Sequence, residues 1–233
     1  MHADEPTLHT HIQELRSSTG LPEGGLSTAI LCGKMRSEND SAEVLQMHRI
    51  IVEEEVNNEG SNVTGLLMGQ GTSVMHLIEG PSYAVLRILK NIADHAQFNG
   101  KDEGVGENGS LQQGRIVYSV EDRPSRYFPE WYSCALPEKK GGTEELNGDT
   151  GKDVVHDMAI MLLEMGKRLQ STSGAVDLTA YAELLPAKGL ILALNACTAF
   201  FSVDEYVSMY AEPYHTDLES ERTYPMQRAV SYL

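Results

Sequence analysis

His76 is the residue in this sequence best placed to do chemistry. It alternates with Val74 and Ile78 along the run Ser73–Gly80, so it points to the same side as those apolar residues. A neutral imidazole there offers one donor and one acceptor, enough to orient a ligand or pass a proton. The same group also fits an ordinary core histidine satisfied by its neighbours, and burial of the run favours that reading. Glu79 could serve as an acid–base partner, but the alternation turns it to the other face, which weighs against an enzyme. Gly104-Val105-Gly106-Glu107-Asn108-Gly109 spells GxGxxG. It lacks the strand before and the helix after that would hold a pyrophosphate, and it reads as an acidic loop. His2, His9 and His11 lie in a polar arm that cannot fix a metal geometry, so no metal site is expected. The Glu53-Glu54-Glu55 run reads as a solvated helix face.

The composition narrows the classes. Lys plus Arg total 18 and Asp plus Glu 34, a net charge of −16 over 233 residues. That excess argues against a nucleic-acid partner and against adhesion to anionic lipid. Three cysteines without a Cys-x-x-Cys spacing suit neither a disulfide framework nor a zinc finger, and fit a reducing compartment. No apolar run reaches the roughly 20 residues of a membrane span, and no secretory pattern opens the chain. The sequence reads as cytoplasmic, with a 41% apolar fraction sufficient for a core.

The elements that must position His76 follow from periodicity and punctuation. Residues 1–24 read as a flexible N-terminal arm. Leu26–Cys32 is a strand, and 42–56 a helix closed near Gly60. Val63–Gly69 and Ser73–Gly80 form a hairpin with a short glycine turn. Tyr83–His95 is a second helix, with Val85, Leu86, Leu89 and Ile92 on one face. An acidic loop at 98–114 precedes a strand at Arg115–Val120, and Trp131–Leu136 is a fifth strand. The stretch 138–153 reads as a linker, and 154–233 as a helical C-terminal extension. Strand, helix, two strands, helix, two strands is an α+β, ferredoxin-like order with one extra strand, both early helices on one sheet face.

Several motifs resemble those of BLUF domains, the flavin-based blue-light sensors. They are Asn58 at the end of the first helix, Val63-Thr64-Gly65-Leu66-Leu67, Val74–Gly80 ending Leu77-Ile78-Glu79-Gly80-Pro81, and Phe128-Pro129-Glu130-Trp131 before the last strand. The resemblance covers about residues 25–137 and continues into the following helix. It implies a five-stranded BLUF-type core with two helices on one face. If flavin is bound, it implies Asn58, His76 and Trp131 as the cofactor-binding residues. His76 stands where the family carries the glutamine that rearranges after light absorption. The family's electron-donating tyrosine falls at or next to Cys32, and the arginine-bearing region that helps hold flavin is not recognisable. An imidazole lacks the amide's two donors and carbonyl. The resemblance thus implies a photochemically inactive member with no cofactor.

Such a chain resembles the testis-expressed and flagella-associated BLUF-like proteins. That likeness implies a non-enzymatic structural subunit of the motile-cilium axoneme, with the central apparatus as a candidate position. Its expected partners are other axonemal or cytoskeletal proteins rather than nucleic acid, membrane or a small-molecule substrate. The alternative is a flavin-binding blue-light sensor with altered photochemistry. Partner binding is expected of the extension, through Leu192, Phe200, Phe201 and Tyr206, because a small sheet cannot cover so many apolar residues. A chain ending near Gly151 is expected to stay folded.

Overall fold

Strand β1 (Leu26–Met35) is buried along nearly its whole length. So are β2 (Thr64–Gln70) and β3 (Ser73–Pro81). A strand buried on both sides needs a layer on each face of its sheet, and the computed structural model has both layers. It describes residue 14 and residues 25–98, 111–139, 141, 146–172 and 176–211. The N-terminal arm at 1–24, apart from Glu14, and the GxGxxG stretch lie outside the described residues.

The order of elements is β1, α1 (Ser41–Glu59), β2, β3, α2 (Ser82–Phe98), β4 (Leu111–Arg123), β5 (Trp131–Leu136), α3 (Gly148–Gln170), α4 (Lys188–Ala196), β6 (Phe201–Ser202) and α5 (Val203–Ala211), with short 3-10 turns at Glu38–Asp40 and Leu178–Tyr181. The sheet order is β5-β2-β3-β1-β4-β6. Strands β1 to β4 pair antiparallel, and β5 joins β2 in parallel. The central order β2-β3-β1-β4, with a helix after β1 and another after β3, is the ferredoxin-like arrangement. The fold is α+β with a mixed six-stranded sheet.

Local chemistry accounts for the early boundaries. Gly60 ends α1 at φ 63°, the left-handed conformation that glycine enters without cost. Gly65 in β2 has φ 143°, and a Cβ there would run into the Leu77 carbonyl oxygen of β3. That explains a glycine in the Thr64-Gly65-Leu66-Leu67 run. Gln70 and Ser73 close the β2–β3 hairpin around Gly71 and Thr72.

One face of the sheet carries Ala29, Leu31, Leu67, Val74 and Ile78 against Val44, Ile51 and Val52 of α1 and Ile88, Leu89 and Ile92 of α2. The other face carries Ile30, Leu66, Met68, Met75 and Leu77 against Val155, Met158, Leu162 and Met165 of α3 and Ile191 and Leu194 of α4.

Three sequence expectations change. Helix α3 begins at Gly148, inside the stretch read as a linker, because Asn147 accepts from the amides of Asp149 and Thr150 while Thr150 reaches back to the Asn147 amide. This is a capping box, worth about 1 kcal/mol, hidden in a polar run. Strand β4 starts at Leu111, within the stretch read as the acidic loop. The extension is a wall of the core rather than a free arm: each large side chain it buries contributes about 1.5–3 kcal/mol. A chain ending near Gly151 would leave Leu66, Met75 and Leu77 uncovered.

Candidate functional site

His76 sits at the middle of β3, directly paired with Leu31 of β1 and Leu67 of β2. Its side chain is completely buried on the α1/α2 face. Helix α1 brings His48 over it, with the two Nδ1 atoms 3.0 Å apart. Strand β5 brings Trp131 beside it, and the indole Nε1–H donates to His76 Nε2 at 3.2 Å. The rings of His76 and Trp131 meet edge-on, their centroids 5.9 Å apart.

These contacts fix the protons. An indole N–H only donates, so His76 Nε2 accepts and its proton rests on Nδ1. That proton is given to His48 Nδ1, which leaves the His48 proton on Nε2. This last N–H is buried with no hydrogen-bond partner among the described residues. Both imidazoles are held neutral. Burial pushes the His48 pKa down to about 4, with His95 adding to the effect. Burial, and then His48, push His76 well below its ordinary value.

The sequence-predicted cofactor residues come together only in part. His76 and Trp131 touch. Asn58 lies in the last turn of α1, and its side chain is outside the described residues. The two neighbouring positions at which the family's tyrosine could fall lie on opposite faces of the sheet. Cys32 pairs with Met75 and belongs to the opposite face, where burial raises its thiol to about 12. Leu31 is the β1 residue beside His76, and an aliphatic side chain has no electron or proton to give. These residues do not fit a flavin. Both ring nitrogens of His76 are already committed to protein groups, and the face around it is filled by Leu31, Leu67, Val74 and Ile78. A cleft of about 610 Å³ between α3 and α4, lined by Leu146, Val154, Met158, Met161 and Leu190, lies on the other side of the sheet.

Glu79 has a structural part that the sequence reading missed. It faces away from His76, is fully buried, and accepts hydrogen bonds from Thr28 and Thr64 hydroxyls and from the backbone amides of Tyr127 and Phe128 at 2.9–3.0 Å. Arg126 adds bonds to Thr64 Oγ1 and to the Glu79 and Asn62 carbonyls. Burial lowers the Arg126 pKa, and the Glu79 charge opposes that fall. This network pins the loop before β5 and so sets where Trp131 enters. The Leu77-Ile78-Glu79-Gly80-Pro81 ending and the Phe128-Pro129-Glu130-Trp131 element were its two visible halves.

The residues expected to bind partners divide. Tyr206 is buried among α2 and α5 side chains and its hydroxyl is 2.7 Å from Ser119 Oγ. Phe200 packs on the second core and against Gly151. Leu192 is half-buried. Phe201 alone of the four is exposed, at 54%. Tyr206 is thus spent inside the chain, because α5 folds back beside α2, while Phe200 is partly buried on the other face. Among the described residues, no three His, Cys, Asp or Glu side chains are grouped to hold a metal, and no helix is long and apolar enough to cross a membrane.

Comparison with known proteins adds a family and some structural neighbours. The sequence profile of the family described as "Testis-expressed protein 47" matches residues 26–212. Among solved structures, BlrB, a BLUF protein in its dark state, aligns at 19% identity over 49% of this chain and 74% of that chain, with a TM-score of 0.34. A bacterial light-regulated adenylyl cyclase aligns at 13% identity over 48% of this chain, with a TM-score of 0.35; the match spans 28% of that longer protein. BlrP1 of Klebsiella pneumoniae, as its calcium/cy-diGMP complex, aligns at 14% identity over 68% of this chain and 32% of that chain, TM-score 0.35.

Proposed function

The chain belongs to the testis-expressed protein 47 family, and from that membership together with the closed His76 site we propose that it is a non-enzymatic interaction subunit. We place it in the cytoplasm, in the axoneme of motile cilia or flagella, with the central apparatus as a candidate position. The observation that carries the reading is the state of His76. A sensor needs that position free to address a flavin, whereas here Trp131 and His48 take both ring nitrogens. A BLUF-like scaffold without its switch keeps its surface and its stability as its useful properties. The net charge of −16 suits docking on basic protein partners rather than on nucleic acid or anionic membrane.

The test has two parts. Tagged full-length chain in ciliated cells is expected to stay with the axoneme after detergent extraction, and release with the soluble fraction counts against the assignment. The protein purified from those cells is expected to lack a flavin absorption band. A band near equimolar intensity favours the blue-light sensor with altered photochemistry instead.

A further inference from the structure

The two edges of the sheet are treated differently. At one edge β4 pairs with β6, has register shifts along its pairing with β1, and carries Arg115, Glu121, Asp122 and Arg123, with Asp122 at φ 56°. Bulges, charges and a covering strand are the usual devices that keep an edge from recruiting another strand. At the other edge β5 has none of them. Its sequence Trp131-Tyr132-Ser133-Cys134-Ala135-Leu136 contains no charge and no proline, and it pairs with β2 in unbroken register.

The parity of the ladder shows which groups face outward. The Gly65 amide donates to the Glu130 carbonyl at 3.1 Å. In a parallel pair alternate residues bond inward, so Tyr132 and Cys134 serve β2, while Trp131, Ser133 and Ala135 turn their N–H and C=O outward. No backbone partner for these outward groups occurs among the described residues. Ser133 and Ala135 are exposed.

We propose that the outer edge of β5 is a docking site for an extended, basic segment of a partner protein, which adds a seventh strand to the sheet. Main-chain hydrogen bonds supply the affinity in such β-augmentation, and flanking side chains the selectivity. The flanking charge here is acidic: exposed Glu130 precedes the strand and half-exposed Glu138 follows it, the latter shared with Lys188. Lys139 points its ammonium into the carbonyls of Ala182, Glu183 and Leu185 instead of toward the edge. A second copy pairing antiparallel would set Glu130 of each chain against Glu138 of the other, with −16 on both. Lysine or arginine at the ends of the incoming strand removes that repulsion. This inference does not rest on the axonemal assignment, and its test is made in solution.

The probe is the synthetic peptide Lys-Val-Thr-Val-Thr-Val-Lys, titrated into the full-length chain. Saturable binding is expected, with slowed hydrogen exchange at the amides of Trp131, Ser133 and Ala135. Ser133→Pro removes one outward N–H without touching the β2 pairing, and is expected to weaken binding by about tenfold or more at unchanged melting temperature. The same peptide ended by glutamates is expected to bind about tenfold more weakly, as like charge at the strand ends requires. Should Ser133→Pro fail to fold, a peptide N-methylated at alternate residues takes its place, and it must not bind the unaltered chain. Equal binding by that peptide or by folded Ser133→Pro overturns the proposal, as does absence of binding. A dimer in solution that Ser133→Pro dissociates assigns the edge to a second copy. Protection of these amides in the free monomer assigns it to the chain's own residues, such as 212–233. Either result also overturns the proposal.

Discussion

One face of the sheet is covered chiefly by helices that arise between its strands, with α5 added beside them, and the other by helices that follow β5. On the first, α1 and α2 are the crossovers after β1 and β3, and the layer includes two hydrogen-bonded histidines and the half-buried Trp131. On the second, α3 and α4 arrive from the C-terminal part of the chain, and the layer is rich in methionine (Met68, Met75, Met158 and Met165) and includes the buried rings of Tyr127 and Phe128. The difference teaches where specificity resides. Each face carries one polar network that demands exact partners: the crossover layer, fixed by short connections, holds the histidine pair at its centre, and on the second face Glu79 near the end of β3 holds the loop before β5. The later layer closes over a longer loop and relies on adaptable thioethers to fill its space. Both layers bury large side chains completely, so neither is dispensable.

The largest effect is expected from removing the second layer. A chain truncated after Gly151 should lose cooperative unfolding and aggregate, seen as loss of a thermal transition by circular dichroism. A sharp transition near that of the full chain would mean that α3 and α4 are accessories. Next come single deletions. Leu89→Ala on the first face and Leu162→Ala on the second, both fully buried, should each cost about 2–5 kcal/mol in urea titrations. Leu45→Ala should cost less, because Leu45 lies at the margin of its cluster. A large cost on one face only would mean that the two layers do not contribute equally to one core.

Gly166→Ala sharpens the comparison. A Cβ at this point of α3 would strike the Tyr127 carbonyl, so the usual helix gain of about 0.5–1 kcal/mol from Gly to Ala should be reversed into a loss. A stabilised variant would place α3 farther from the loop before β5.

The polar network makes the first face sensitive to acid. His48 and His76 have folded pKa values depressed below the ordinary 6.5, with His48 near 4. The unfolded chain therefore takes up protons first as pH falls. Stability from the neutral pair is present above pH 6.5 and is lost as pH falls toward 4, with a slope of up to about two protons. Comparing the pH profile of the full chain with that of His48→Leu isolates this contribution. Identical profiles would mean the pair is not buried as a neutral unit. The smallest effect belongs to Ile160→Ala on the outer side of α3, where half of the side chain is exposed; about 0.5 kcal/mol or less is expected.

The legible part of the fold was the part with local grammar. Alternation around His76, the Gly60 stop and the hairpin at Gly71 gave the ferredoxin-like order and placed both early helices on one face. The second layer was obscured because its contacts run between distant residues. Leu162 and Leu77 are far apart in the chain, and the Asn147 cap sits in a polar run that resembles a linker. At the site, the sequence located His76 and Trp131 but not His48, whose helical position reads as ordinary amphipathic spacing. It put the tyrosine equivalent at or next to Cys32 without choosing between the two, because a one-residue difference in strand register reverses the face. Glu79 was weighed only as an acid–base group, since nothing local reveals that its partners are the amides of Tyr127 and Phe128.

Native-state hydrogen exchange tests the central claim, that both layers belong to one cooperative core. The amides of Leu89 in α2 and Leu162 in α3 lie inside helices on opposite faces. Both are expected to exchange only through global unfolding, with equal opening free energies. Exchange at Leu162 through a much cheaper local opening, while Leu89 stays protected, would contradict it.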